Sequence, residues 1–321
     1  MVDTFMYTGD TPWRSSGTYV GDEPISSRQA IVKAGLDWSV ELKPIYTKGK
    51  DGIYDKVVTN QAVIRTTDER VLGIVGMRYT PVQNYEAFEF MDSLVGEELM
   101  QYHTAGSFRE GQRIWLLGQV GSEYILPEDR IDQFLFLYNS HDGSASLRCM
   151  FVNIRHASLV VYRTTRWHNR GDAVKIRHTT SATKRVQEAR KVLGLAREEF
   201  ENCTAFQRAL TKLEMPYKRF NAFLENLIPD SEDPEANNTR AENARDAIRV
   251  LYQQGDGAEI TGVKGSGWGA YCAVIGYVNY QRTKSREDTA QERRFETSLT
   301  GTGNNLVQKA TTLLNAYMEE E

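Results

Sequence analysis

The residues best suited to chemistry lie between Arg148 and Lys191, where eleven basic residues stand against two acids, Asp172 and Glu188. That local balance of +9 sits in a chain whose net charge is −4. A chain polarised in this way can present one face to a polyanion, because local surface potential, not net charge, concentrates a charged ligand. Within the segment, Arg148, Arg155, Arg163, Arg166, Lys175 and Arg177 are candidate phosphate contacts. Tyr162 and Trp167 are candidates for base or sugar contact, and His178 completes the set. With so few acids nearby, these cations repel one another, and an external anion is their natural partner.

Other chemistries find less support. The five histidines, His103, His141, His156, His168 and His178, show neither an i, i+4 pair around a Glu nor an accompanying Asp-x-Asp cluster. No metal or other cofactor is expected. The three cysteines, Cys149, Cys203 and Cys272, lack C-x-x-C spacing and read as buried thiols. No P-loop and no nucleophile motif is present. The run Gly262-Val263-Lys264-Gly265-Ser266-Gly267-Trp268-Gly269 reads as a loop closing on a helix that begins near Trp268, with phosphate contact as the alternative.

These side chains need a scaffold. Residues 1–36 read as an irregular N-terminal arm ending in a short helix from Ser26 to Lys33. Trp38 to Tyr46, Val57 to Thr66 and Val71 to Val75 read as an antiparallel meander. Asn84 can cap a helix with apolar positions Ala87, Phe88, Met91, Leu94 and Val95. Strands return at Tyr102 to Phe108, Arg113 to Val120, Phe134 to Tyr138 and Ser146 to Val152. The last two flank Asn139-Ser140-His141-Asp142-Gly143-Ser144, whose Asp-Gly pair is a turn signal. A helix is expected near Ile154 to Arg166, a short strand at Ala173 to His178, and helices over Ser181 to Phe206 and Leu210 to Leu227. An acidic loop follows at Pro229 to Asn238.

The expected architecture is α+β: a curved antiparallel β-sheet packed with helices, with a helical C-terminal part. Its divisions are the arm 1–36, an α+β core over 37–206 with the basic segment 148–191, and helices over 207–321. Hydrophobic residues at 40% and charged residues at 26% exclude wholesale disorder and fibrous classes. No apolar run approaches the roughly 18 to 20 residues a membrane span needs. The start lacks a secretory pattern, so a cytoplasmic location is expected.

Several blocks resemble a known family. They are Arg78-Tyr79-Thr80-Pro81-Val82-Gln83-Asn84; Ala105-Gly106-Ser107-Phe108 with Gly111 and Ile114-Trp115; Asn139 to Ser144 through Arg148; and Ile176-Arg177-His178-Thr179. Further along come Trp268-Gly269-Ala270-Tyr271 with Ala273, Val274 and Tyr277, then Arg294-Phe295, Gly301-Thr302-Gly303 and Lys309-Ala310. Together they resemble the phage/plasmid-like protein family, a domain of unknown function of mobile elements. The family's cysteine shortly before an asparagine has no match here, where Val152 precedes Asn153 and the cysteine is Cys149. The resemblance implies a place in a phage or plasmid, acting in the host cytoplasm. The sheet with a basic helical segment is similar in architecture to ring-forming single-strand-annealing recombinases of phages. The expectation is a non-enzymatic protein that binds single-stranded DNA and promotes strand annealing, as a homo-oligomeric ring or filament. The rivals are an interaction protein that modulates a host factor and a metal-dependent nucleic-acid enzyme.

Overall fold

The computed structural model describes residues 5–12, 17–95, 100–163, 174–175, 198, 200–233, 237–282, 296–297 and 304–320. The fold is α+β. Its larger sheet contains β1 (Phe5–Tyr7), β2 (Thr18–Tyr19), β6 (Gln101–Phe108), β7 (Arg113–Leu126), β8 (Asp129–Ser140), β9 (Arg148–Arg155), β10 (Val160–Arg163) and β11 (Val174–Lys175). The strand order is β10-β9-β8-β7-β6-β1-β2, with β11 also paired to β9. Every pairing is antiparallel except that of β1 with β2. The N-terminal arm is therefore less irregular than its composition suggests, since two of its segments extend this sheet.

Both faces of the sheet are buried, and alternation along the strands sorts the side chains between them. Trp115, Leu117, Phe134, Phe136, Tyr138, Met150 and Val152 form one face. Ile114, Leu116, Leu135, Leu137, Cys149 and Phe151 form the other, under α1 (Ser27–Lys33) and α2 (Asn84–Val95). Each large apolar side chain buried here contributes roughly 1.5–3 kcal/mol. The Ser26 hydroxyl accepts from the Gln29 N–H while the Gln29 side chain accepts from the Ser26 N–H, a capping box that starts α1.

Asn84 does not cap its own helix as expected. Its Nδ2 donates to the carbonyls of Leu36 and Trp38, and its Oδ1 accepts from His141 Nε2 at 2.9 Å. The residue ties α2 to the β8–β9 loop. A smaller sheet, β3 (Val40–Lys48), β4 (Tyr54–Arg65) and β5 (Val71–Gly76), has its own core of Val40, Val63, Leu72 and Val75. It abuts the same loop: the Trp38 and His141 rings lie 5.3 Å apart, and a Cβ on Gly73 would stand 2.5 Å from Asp142 Cα.

Over residues 154–163 the helix expected from Ile154 to Arg166 is replaced by two strands and a turn. β9 runs to Arg155, the chain turns through Leu159 at φ 51°, and β10 returns antiparallel with Val161 opposite Ile154. Ile154, Val160 and Val161 satisfy a strand's alternation as well as a helix's spacing, and their branched side chains favour the strand. The C-terminal part is helical: α3 (200–212), α4 (Tyr217–Leu227), α5 (Thr239–Gln254), α6 (Gly267–Gly276) and α7 (Asn304–Glu319). The chain breaks between α3 and α4 before Pro216, inside the span expected to be one helix. These helices pack around Phe220, Trp268 and Ile275 against Ile131, Val160 and Tyr162 of the sheet. Among the described residues no helix is long and apolar enough to cross a membrane.

Candidate nucleic-acid interface

β9 carries an arginine at each end, and its alternation sends them to opposite faces. Arg155, 1% exposed, lies on the side of the C-terminal helices. Its Nε donates to Asp129 Oδ1 and its Nη2 to Asp129 Oδ2, both at 2.7 Å. A further Nη2 bond reaches the Gly257 carbonyl at 2.9 Å. Trp268 Nε1 donates to the same carboxylate at 2.8 Å, and the guanidinium stands 5.7 Å from the Trp268 ring centre. Asp129 is itself fully buried. This pair clamps β8 and β9 to α6, so Arg155 is corrected from a phosphate contact to a core residue.

Tyr162 is corrected in the same way. It is buried, its hydroxyl accepts from Gln207 Nε2 at 2.5 Å, and its ring meets Tyr271 edge-on. Burial raises its hydroxyl pKa well above the ordinary value. It does not offer its ring to an external base.

Arg148 has different surroundings. It is only partly buried, pairs in register with Tyr138, and holds its guanidinium 5.6 Å from that ring's centre. Its Nε is buried and has no hydrogen-bond partner among the described residues. Beside it Arg113 bonds Asp142 at 3.1 Å and pairs with Glu296. Arg109 reaches Glu296 at 3.2 Å, and the Tyr138 hydroxyl donates to that carboxylate at 3.4 Å. Burial alone would raise the Asp142 carboxyl; hydrogen bonds from Ser144 and the charge of Arg113 outweigh it and hold the pKa below the ordinary value.

Strand pairing brings more of the basic segment to this region. Lys175 of β11 is the register partner of Arg148, and Arg163 of β10 is the register partner of Val152. The two positions on β9 are about 13 Å apart at roughly 3.3 Å per residue. Arg166, Trp167, Arg177 and His178 lie outside the described residues.

Sequence reasoning missed Arg109, Arg113 and Glu296. Arg113 and Glu296 are 183 positions apart, and only the fold joins them. Arg109 sits in a loop, Arg109-Glu110-Gly111, where three successive residues have positive φ, at 54°, 58° and 92°.

The other candidates are structural. The Ser266 hydroxyl caps α6 by accepting from the Gly269 N–H, and the Gly267 N–H donates to the Leu213 carbonyl, so the glycine-rich loop spends these donors on the protein. Cys149 and Cys272 are buried, and burial pushes both thiols up, Cys272 to about 12; Cys203, expected to be buried as well, is only partly so. Among the described residues no group of three His, Cys, Asp or Glu side chains could hold a metal ion.

The sequence model of a family described as a domain of unknown function, DUF932, matches residues 71–299. The match spans more than half of the chain and includes the β8–β9 hairpin, Arg113, Arg148 and Glu296; the smaller sheet's β3 and β4 lie outside it. No curated protein and no solved structure matches the chain. The chain belongs to the DUF932 family.

Proposed function

We propose that this DUF932 member binds single-stranded DNA along the outer edge of its larger sheet and promotes annealing of complementary strands. One observation carries the reading: the register that sets Lys175 opposite Arg148 and Arg163 opposite Val152, gathering cations from three strands on one edge. Phosphates are neutralised there by Arg148, Arg163 and Lys175. Arg109 and Arg113 flank them but share their charge with Asp142 and Glu296. Backbone contacts of this kind fix the strand without reading its sequence. Holding the backbone leaves bases free to pair, which lowers the orientational cost of meeting a complement.

The reading further places the protein in the host cytoplasm of a phage or plasmid, acting as a ring or filament of identical subunits without a cofactor. A labelled single-stranded oligonucleotide titrated with the full chain at low and physiological salt tests the binding. Mixing two complementary labelled strands tests the annealing. The expected outcome is salt-weakened binding with faster pairing. No binding at low salt, or binding that leaves the pairing rate unchanged, contradicts the respective half of the reading.

A further inference from the structure

At the Arg155 end of β9, a cavity of about 230 Å3 opens between residues 8–12, Asp22, Ile154 and the β9–β10 turn. Its polar lining is dominated by Asp10, Asp22, Asp132, Arg130 and His103. Arg130 Nη2 sits at the centre, its two hydrogens shared among Asp132 at 3.0 Å, Asp10 at 3.1 Å and His156 Nδ1 at 3.1 Å. Ser122 donates to the other oxygen of Asp132 at 2.6 Å.

The informative residue is His103, which is 8% exposed. Its Nδ1 lies 2.6 Å from Thr104 Oγ1, and that is the one hydrogen bond its ring makes to a described residue. Thr104 is fully buried, and that imidazole is its hydroxyl's one partner among them. A proton on Nδ1 would leave the buried hydroxyl hydrogen without an acceptor, a costly arrangement. The hydroxyl therefore donates to Nδ1, and the ring hydrogen is on Nε2. Burial lowers the imidazole pKa to about 4, so the ring is neutral at neutral pH. The cavity thus holds an uncharged N–H donor that no described residue receives, beside an acceptor-only carboxylate and a guanidinium.

Three carboxylates against one guanidinium repel an anion, and a simple cation has no acceptor to offer the His103 N–H. A matching ligand is neutral, and each of its polar groups both gives and takes a hydrogen bond. Hydroxyl groups on adjacent carbons do this, donating to Asp132 and accepting from His103 and Arg130. The volume lies below that of drug-sized pockets. We propose that this cavity binds the vicinal hydroxyls of a small sugar, either free or as the ribose of a nucleoside. The inference does not depend on DNA binding at the β9 edge.

Calorimetric titration of the full chain with D-ribose, adenosine and 2′-deoxyadenosine tests it, with inorganic phosphate and spermidine as charged probes. Adenosine is expected to bind at least about tenfold more tightly than 2′-deoxyadenosine, the loss anticipated when a hydrogen bond to a charged group is removed. Ribose binding as well as adenosine identifies a free sugar as the source; adenosine binding far better identifies a nucleoside. Asp132→Asn should weaken either by about tenfold or more. Should that variant unfold, His103→Phe decides by the same readout. Failure of all three sugar-bearing probes to bind at about 10 mM, spermidine or phosphate binding in their place, or binding unmoved by either folded variant overturns the proposal.

Discussion

The first and last residues of β9 are both arginines, and the protein treats them differently. Arg155 is enclosed, with Asp129, Gly257 and Trp268 taking up its guanidinium. Arg148 rests on the Tyr138 ring, its buried Nε without a hydrogen-bond partner among the described residues. Seven positions separate them, an odd number, so strand alternation alone places them on opposite faces. Positive charge in a sequence therefore marks two kinds of residue, one enclosed by its partners and one that keeps part of its surface exposed. Only the neighbours contributed by distant segments distinguish them.

The largest effect should come from breaking the enclosed side. Arg155→Ala leaves the Asp129 carboxylate buried beside Trp268 without its counter-charge, at a cost of about 3–5 kcal/mol. Denaturant unfolding should show this, and the Arg155→Ala, Asp129→Ala double variant should lose less than the two single losses combined. A loss below 1 kcal/mol would mean that the clamp between sheet and helices is not structural.

Acid should act next, on the histidines that brace the region. Burial lowers the pKa of both His103 and His141 to about 4, so both are neutral in the folded protein. In the unfolded chain each takes up a proton near pH 6.5. Their contribution to stability is complete above that pH and is lost as pH falls from about 6.5 through 4, up to roughly 3 kcal/mol for each. Removing His141 by His141→Gln should flatten part of that slope in a melting series. An unchanged slope would show that His141 does not titrate in this range.

A smaller effect is expected at the hairpin that delivers Arg148. Gly143 has φ 76°, and a Cβ there would approach Val75 Cγ1 to 3.0 Å. Gly143→Val should cost about 1–3 kcal/mol of stability. It should also lower DNA affinity through displacement of β9. A variant that folds and binds like the parent would show that the smaller sheet does not fix the position of this edge.

Much of this arrangement is legible in the residues themselves. Asp142-Gly143 announces its turn because glycine accepts positive φ, and the Asp142 Oδ1 bond to the Ser144 N–H completes it. Ser26 and Gln29 likewise mark where α1 begins. The strand after Arg155 was obscured because Ile154, Val160 and Val161 fit two periodicities. Burial of Arg155 was hidden for a different reason: Asp129 is 26 residues away and Trp268 is 113, so no local window contains all three. The cluster of Arg109, Arg113 and Glu296 is invisible on the same grounds.

In the proposed function Arg148 neutralises a phosphate of a bound single strand while Arg155 serves the fold. The most direct test is the slope of log affinity against log salt for the parent and Arg148→Ala, measured by fluorescence anisotropy on one labelled single strand. The variant is predicted to bind more weakly by about 1–3 kcal/mol. Its slope should be shallower by about 0.7, one phosphate contact fewer, with stability changed by less than about 1 kcal/mol. Two parallel lines of equal affinity would contradict the claim and remove Arg148 from the interface.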